Sequence, residues 1–235
     1  MNHFNSNQSL GEIVAIMPKA SDIFKEYRID FCCGGHRPLS EAISEQNLKE
    51  EVLLGKLDET YEDLQKYPKD VDLREISSTE LIDSFIMPHH VFTKAILPEI
   101  SELATKILKV HGPNHKELFQ IHKLVRSLEM ELEQHLIKEE EILFPMIKEY
   151  DKSPSPELLD KIKEQVAETE AEHDGAGDIL KELRKITNDY AVPEDGCGTY
   201  RRTFSKLQDL EADLFEHIHK ENNILFRSLD IIVNS

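Results

Sequence analysis

Two stretches of the sequence are copies of one pattern: Glu129-Met-Glu-Leu-Glu-Gln-His135-Leu-Ile-Lys-Glu139-Glu-Glu-Ile-Leu-Phe144 and Glu211-Ala-Asp-Leu-Phe-Glu-His217-Ile-His-Lys-Glu221-Asn-Asn-Ile-Leu-Phe226. Glu129 matches Glu211, Leu132 matches Leu214, His135 matches His217, Lys138 matches Lys220, Glu139 matches Glu221, and Ile142-Leu143-Phe144 matches Ile224-Leu225-Phe226. In both copies a His and a Glu four residues apart interrupt an apolar stripe at helical spacing. The stripe reads Leu128, Leu132, His135, Glu139, Ile142, Met146 in the first copy and Leu210, Leu214, His217, Glu221, Ile224, Ser228 in the second. Such a stripe faces the core of a helical bundle. An ionised carboxylate there is costly unless it is paired or bound to a metal. One His–Glu pair alone reads equally well as a buried ion pair. Two in matching stripes point to a buried metal centre.

The duplication extends upstream. His90 is followed by Ile96, Leu97 and Glu99, and His173 by Ile179, Leu180 and Glu182, at the same offsets. His135 lies 45 residues after His90, and His217 lies 44 after His173. Each half is thus a two-helix unit with one His on its first helix and His-x-x-x-Glu on its second. The expected metal ligands are His90, His135, Glu139, His173, His217 and Glu221. His89 competes with His90 for the inward position, and the repeat register selects His90. Nitrogen and carboxylate donors without thiolate suit iron, manganese or zinc. Structural zinc prefers four ligands, often with Cys, so six converging donors point to a binuclear non-haem iron site, with the carboxylates available as bridges. Two ferrous ions against two glutamates leave a net positive site, which an oxo or hydroxo bridge completes.

Those side chains need long helices to hold them. Gly and Pro fall between apolar periodic segments and strand-like alternation is scarce, so the chain reads as all-α. Short amphipathic segments run from Ser9 to about Lys66, broken by Pro18 and Cys32-Cys33-Gly34-Gly35. A polar linker follows at 67–78, with Ser78 or Thr79 as the expected cap of the next helix. Four longer segments, roughly 79–110, 116–149, 156–188 and 199–230, are joined by short Gly- and Pro-containing turns, as in an up-down-up-down four-helix bundle. The expected organisation is a small N-terminal helical domain (1–66), a linker (67–78) and a bundle with an internal pseudo-two-fold repeat (79–235). A formal charge of −18 disfavours nucleic acid and anionic membranes as partners. No apolar run approaches the ~20 residues that span a bilayer, the first residues lack the regions of a signal peptide, and three Cys do not form a secreted disulfide framework. A cytoplasmic protein is expected.

Asp30-Phe-Cys-Cys-Gly-Gly35, His90 ahead of Leu97-Pro98-Glu99, His135-Leu-Ile-Lys-Glu139-Glu-Glu-Ile-Leu-Phe-Pro145, Glu172-His173-Asp174 with Gly177, and His217-Ile-His-Lys-Glu221-Asn-Asn-Ile-Leu-Phe226 together resemble one family. It is the iron-sulfur cluster repair di-iron proteins, the repair-of-iron-centres group of ScdA/YtfE type. The resemblance covers nearly the whole chain. It implies a hemerythrin-like bundle in which His90, His135, His173 and His217 are terminal ligands while Glu139 and Glu221 bridge two irons. It also implies a role in oxidative and nitrosative stress: restoring iron-sulfur clusters damaged by nitric oxide or peroxide. Damaged iron-sulfur proteins would be the acceptors and a homodimer the working form, with iron delivered rather than turned over as in an enzyme. A hemerythrin-like O2/NO sensor and a di-iron NO or peroxide oxidoreductase are the alternatives. Met87-Pro88-His89, Thr93 and Arg227 depart from the family pattern, and Pro88 is expected to alter the helix around His90.

Cys32 and Cys33 are the second chemical feature. Adjacent cysteines close a disulfide only with strain, which suits a redox-labile or metal-handling pair. The glycines beside them permit close backbone approach. Of the remaining residues, His219, Glu140 and Glu141 are expected at the surface, His122 partly buried, and Phe144 and Phe226 in the core. His3, His111 and His115 are expected to be solvated. Glu131 and Asp213 could buttress the His ligands, and Cys197 reads as incidental.

Overall fold

The computed structural model describes residues 3–64 and 72–231. Among them the regular structure is helical, apart from one isolated antiparallel bridge between Ser9 and Pro38, so the fold is all-α as expected. Part of the expected linker, residues 67–71, lies outside the described residues. None of the helices searched is long and apolar enough to cross a membrane.

The chain divides into two compact units, one of residues 1–81 together with 215–235 and the other of residues 82–214. The first begins with α1 (Leu10–Ile16), α2 (Ala20–Glu26), α3 (Leu39–Glu45) and α4 (Glu50–Leu64). Ser9 caps α1 by accepting a hydrogen bond from the Glu12 N–H. Phe4, Leu10, Ile13, Phe24, Phe31, Leu39, Leu53 and Leu57 build its core, and Phe215 packs against it. The next helix, α5 (Ser78–Leu81), is capped by neither of the two expected residues. Its cap is Ser77, whose hydroxyl accepts from the Glu80 N–H at 3.1 Å.

The second unit starts at a π-turn, π1 (Ile82–Ile86), which leads into α6 (Met87–His111). Pro88 sits in the first turn of α6. It has no N–H to complete the preceding turn and its ring crowds the carbonyl four residues back, so a wide turn there relieves both problems. The expected perturbation near His90 takes this form. There follow α7 (Glu117–Lys138), π2 (Glu139–Leu143), α8 (Phe144–Lys152), α9 (Pro156–Ile186) and α10 (Gly198–Lys220). The boundary between the units falls inside α10, after which come π3 (Glu221–Leu225) and α11 (Phe226–Ile231) in the first unit.

Side-chain pairs fix the directions in the second unit. His90 meets Glu140 and Ser101 meets Glu129, so α6 and the α7–π2 segment run antiparallel. His135 with Glu172 and Gln120 with Glu182 give the same for α7 and α9. Glu99 with Arg202 and His89 with Asp213 give it for α6 and α10. The repeat also buries a matching carboxylate in each half: Glu129, held by Arg126 and Ser101, and Glu211, held by Arg184. Burial pushes the Glu211 carboxyl up despite the arginine.

The π-turns correct the expected stripe. In π2 the Phe144 N–H reaches back five residues to the Glu139 carbonyl, and in π3 the Phe226 N–H does the same to Glu221. Each turn holds one residue more than an α-turn, which rotates everything after it by about 100° relative to an unbroken helix. In the first copy the buried stripe therefore continues through Leu143 and Ile147, while Ile142 is 47% exposed. In the second it continues through Leu225 and Leu229.

Candidate metal centre

In the unit of residues 82–214, α6, α7, π2 and α9 bring His90, His135, Glu139 and His173 together, all buried. Glu139 is the first residue of π2 and has no exposed surface (0%). Its Oε2 lies 3.2 Å from His135 Nε2 and 3.4 Å from His90 Nε2, so one carboxylate stands between imidazoles from two helices. His173 Nε2 faces His135 Nε2 at 3.2 Å.

The opposite ring nitrogens are tethered. His90 Nδ1 lies 2.8 Å from Glu140 Oε1, and His135 Nδ1 lies 2.9 Å from Glu172 Oε2. These carboxylates are themselves held by lysines: Lys94 donates to Glu140 at 2.6 Å, and Lys138 donates to Glu172 at 2.5 Å. Burial pushes both carboxyls up, but the bonds from Lys94 and His90, and from Lys138 and His135, outweigh it and hold both below the usual range. An ionised carboxylate only accepts, so it fixes the imidazole proton on Nδ1 and turns the Nε2 lone pair inward. Several lone pairs then converge on the Glu139 carboxylate. A proton satisfies one such contact, whereas a divalent cation satisfies them together, so the donor set fits a metal ion. His89 stands outside the cluster with its Nδ1 on Asp213 at 2.8 Å, as the repeat register requires.

In the unit containing residues 215–235, His217 Nε2 and Glu221 Oε1 meet at 3.0 Å, both buried. His219, expected at the surface, is 3% exposed. Its ring packs edge-on against Phe31 at 5.8 Å, and burial holds its pKa down at about 4. Phe31, in the loop after α2, covers the side of the helix on which His219 lies. Asn223 Nδ2 donates to the carbonyls of Cys32 at 3.1 Å and Phe31 at 3.4 Å. Gly35 permits this approach, because a Cβ there would overlap the Asn223 side chain and lie 2.6 Å from the Phe31 carbonyl.

Cys32 and Cys33 are not joined in a disulfide, and their sulfurs lie 3.9 Å apart. The Asp30 carboxylate organises their turn, accepting from the N–H groups of Cys32 and Gly34 at 3.2 and 3.1 Å. The hydrogen bond to Cys33 and burial push the Cys32 thiol well above its usual range. Cys33 is the more accessible of the two.

The hemerythrin HHE cation binding domain matches residues 81–229, and a domain of unknown function (DUF542) matches residues 6–61. The iron-sulfur cluster repair protein YtfE of Escherichia coli O8 (strain IAI1) is 34% identical over 220 residues, covering 94% of this chain and 95% of that protein. The same figures hold for proteins of that name from Enterobacter sp. (strain 638) and Shigella boydii serotype 4 (strain Sb227). The chain belongs to this family. All six expected ligands fall within the cation binding match, and Cys32 and Cys33 within the other. The cation binding match and the buried His and Glu groups fit iron binding.

Two functional residues escaped the sequence reading. Glu140 was assigned to solvent and Glu172 only to the family pattern, yet they orient His90 and His135. Their signal was adjacency: Glu140 follows a core carboxylate, and Glu172 precedes a core His. Of the two residues considered for this role, Asp213 serves His89 and Glu131 is exposed.

Proposed function

We propose that His90, His135, His173 and His217, with Glu139 and Glu221 as bridges, hold two iron ions in one centre, and that the protein delivers this iron to iron-sulfur proteins damaged by nitric oxide or peroxide. The single observation that carries the repair role is the 34% identity to YtfE proteins along nearly the whole of both chains. The dinuclear assignment is supported by the sequence repeat and by a Glu139 carboxylate that touches imidazoles of two helices.

Iron is the cargo in this reading. Four neutral imidazoles and two carboxylates balance only part of the charge of two ferrous ions, so the ions are held less firmly than in a carboxylate-rich cage. Glu140 and Glu172 keep the imidazoles in the tautomer that binds a cation, and the lysines beside them keep those carboxylates ionised. Iron uptake releases no proton from imidazoles already in this form. Cys33, half-buried in the turn held by Asn223, is the accessible thiol for receiving iron or NO. The same reading puts the protein in the cytoplasm as a homodimer, which cell fractionation and sedimentation equilibrium check.

The decisive experiment mixes iron-loaded protein with a cluster-damaged iron-sulfur protein and follows regain of cluster absorbance. Regain faster than from an equal amount of free ferrous iron is expected. An equal rate would sink the delivery role, and reversible O2 or NO binding without transfer would favour the sensor.

A further inference from the structure

At the other end of α6, two interhelical connections bring a second set of metal-binding groups together. His111 closes α6, and the turn Gly112-Pro113-Asn114 returns His115 beneath it, with the His115 N–H donating to the His111 carbonyl at 2.8 Å. The loop ahead of α10 supplies Asp195 and Cys197, its turn closed by the Gly196 N–H donating to the Pro193 carbonyl at 2.8 Å. His115 Nε2 lies 3.0 and 3.1 Å from the two Asp195 oxygens, and His111 Nε2 lies 3.3 Å from Cys197 Sγ. One donor atom from each of His111, His115 and Asp195 falls within 4.8 Å of the other two. The rings are not simply solvated, as the turn sequence suggests. Both are half-buried and pack edge-on against buried Tyr200, at 5.4 and 5.9 Å.

We propose that His111, His115, Asp195 and Cys197 form a second, mononuclear site for a borderline divalent transition metal such as zinc or ferrous iron. The donor set is two imidazoles, one carboxylate and one thiolate, all types that such ions accept. Ligand atoms around a tetrahedral ion of this kind stand about 3.3–3.7 Å apart; the His115–Asp195 and His111–Cys197 contacts lie close to this, and an ion would draw the two pairs together. His115 also carries the buttress of a metal-bound imidazole: its Nδ1 lies 3.0 Å from Glu117 Oε1, leaving Nε2 for the ion. Asp195 and Glu117 push the His115 pKa up, so a metal ion competes with a proton for this imidazole. The 21 positions from His90 to His111 correspond to ~30 Å along α6, so the two sites fill independently. An ion here would staple the α6–α7 turn to the α9–α10 loop.

The test uses the full chain, loaded with iron and carrying Cys32→Ser and Cys33→Ser, so that Cys197 is its one thiol. Anaerobic titration with cobalt(II) is expected to give a thiolate-to-cobalt charge-transfer band that saturates at one ion per chain and is displaced by zinc(II). Cobalt at the buried His and Glu groups gives no such band. Glu117→Gln is expected to weaken cobalt binding by about 10–100-fold, and zinc to protect Cys197 from iodoacetamide. Circular dichroism confirms that each variant stays helical. No charge-transfer band, or a band unmoved by the His111→Ala/His115→Ala double variant, overturns the proposal, as does an alkylation rate that zinc leaves unchanged.

Discussion

The two copies of the His-x-x-x-Glu pattern have matching backbones and different surroundings. Both run from an α-helix into a π-turn that begins at the Glu, and both bury the His and the Glu. Their outer faces diverge. In the first copy Ile137 is 50% exposed and Ile142 lies open to solvent, whereas the equivalent His219 and Ile224 are buried. The second copy packs against the helices of residues 1–64, and the residues where the copies differ make that contact: His219 for Ile137 meets Phe31, and Asn223 for Glu141 holds the Cys32 carbonyl. The inward His and Glu positions are alike in the two copies, and the outward ones differ.

The largest expected effect tests the shared part. If both copies serve one centre, His135→Ala and His217→Ala each lower bound iron to one ion per chain or none, measured after anaerobic purification. Undiminished iron in either variant breaks the equivalence. Next comes the same truncation on the divergent face. Ile224→Ala is expected to cost about 2–5 kcal/mol, as for other buried Ile, while Ile142→Ala stays within about 0.5 kcal/mol; urea unfolding of the two variants gives the comparison. Equal costs would mean that the copies are covered alike.

Gly35→Ala probes the contact that separates them. Its Cβ would press on Asn223 and on the Phe31 carbonyl, so a loss of about 1–3 kcal/mol is expected. The same unfolding assay checks it, and a neutral result would show that the turn yields freely. The remaining effect is a slope with pH. His219 has a folded pKa of about 4, below the ~6.5 of an unfolded His. Between these values the unfolded chain binds more protons, so stability present above about pH 6.5 is lost as pH falls toward about 4. Comparing unfolding at several pH values in wild type and His219→Leu isolates this part, because the other histidines are common to both. Parallel curves would mean that His219 is not the group responsible.

The candidate ligands stand out in the sequence because charge in an apolar stripe is rare and expensive, and duplication separates neighbours such as His89 and His90. What orients them was harder to see. Glu140 and Glu172 are acidic residues in a chain full of them, and only the packing of α6 against π2 and of α7 against α9 makes them partners of His90 and His135. The π-turns left a trace that a 4-3-4 reading smoothed over. From His135 the buried positions are Glu139, Leu143 and Ile147, three steps of four residues. Each gains about 40° on a straight helix, a drift that one extra residue absorbs. Pro88 and Pro145 follow two of the wide turns, but Arg227 stands where a proline would follow the third, so proline is not their common cause. The pairing of His111 and His115 with Asp195 and Cys197 was invisible for another reason. About eighty residues separate the two loops, and no periodicity connects them.

The wide turn at Glu221 also acts as a lever. Glu221 opens that turn and Asn223 sits two residues along it, gripping the carbonyls beside the thiols. No loop intervenes to absorb movement. If Glu221 holds an ion as proposed, a shift of its carboxylate on uptake or release would pass through this rigid turn to Cys32-Cys33. The reactivity of Cys33 would then gauge from outside what the buried carboxylate holds.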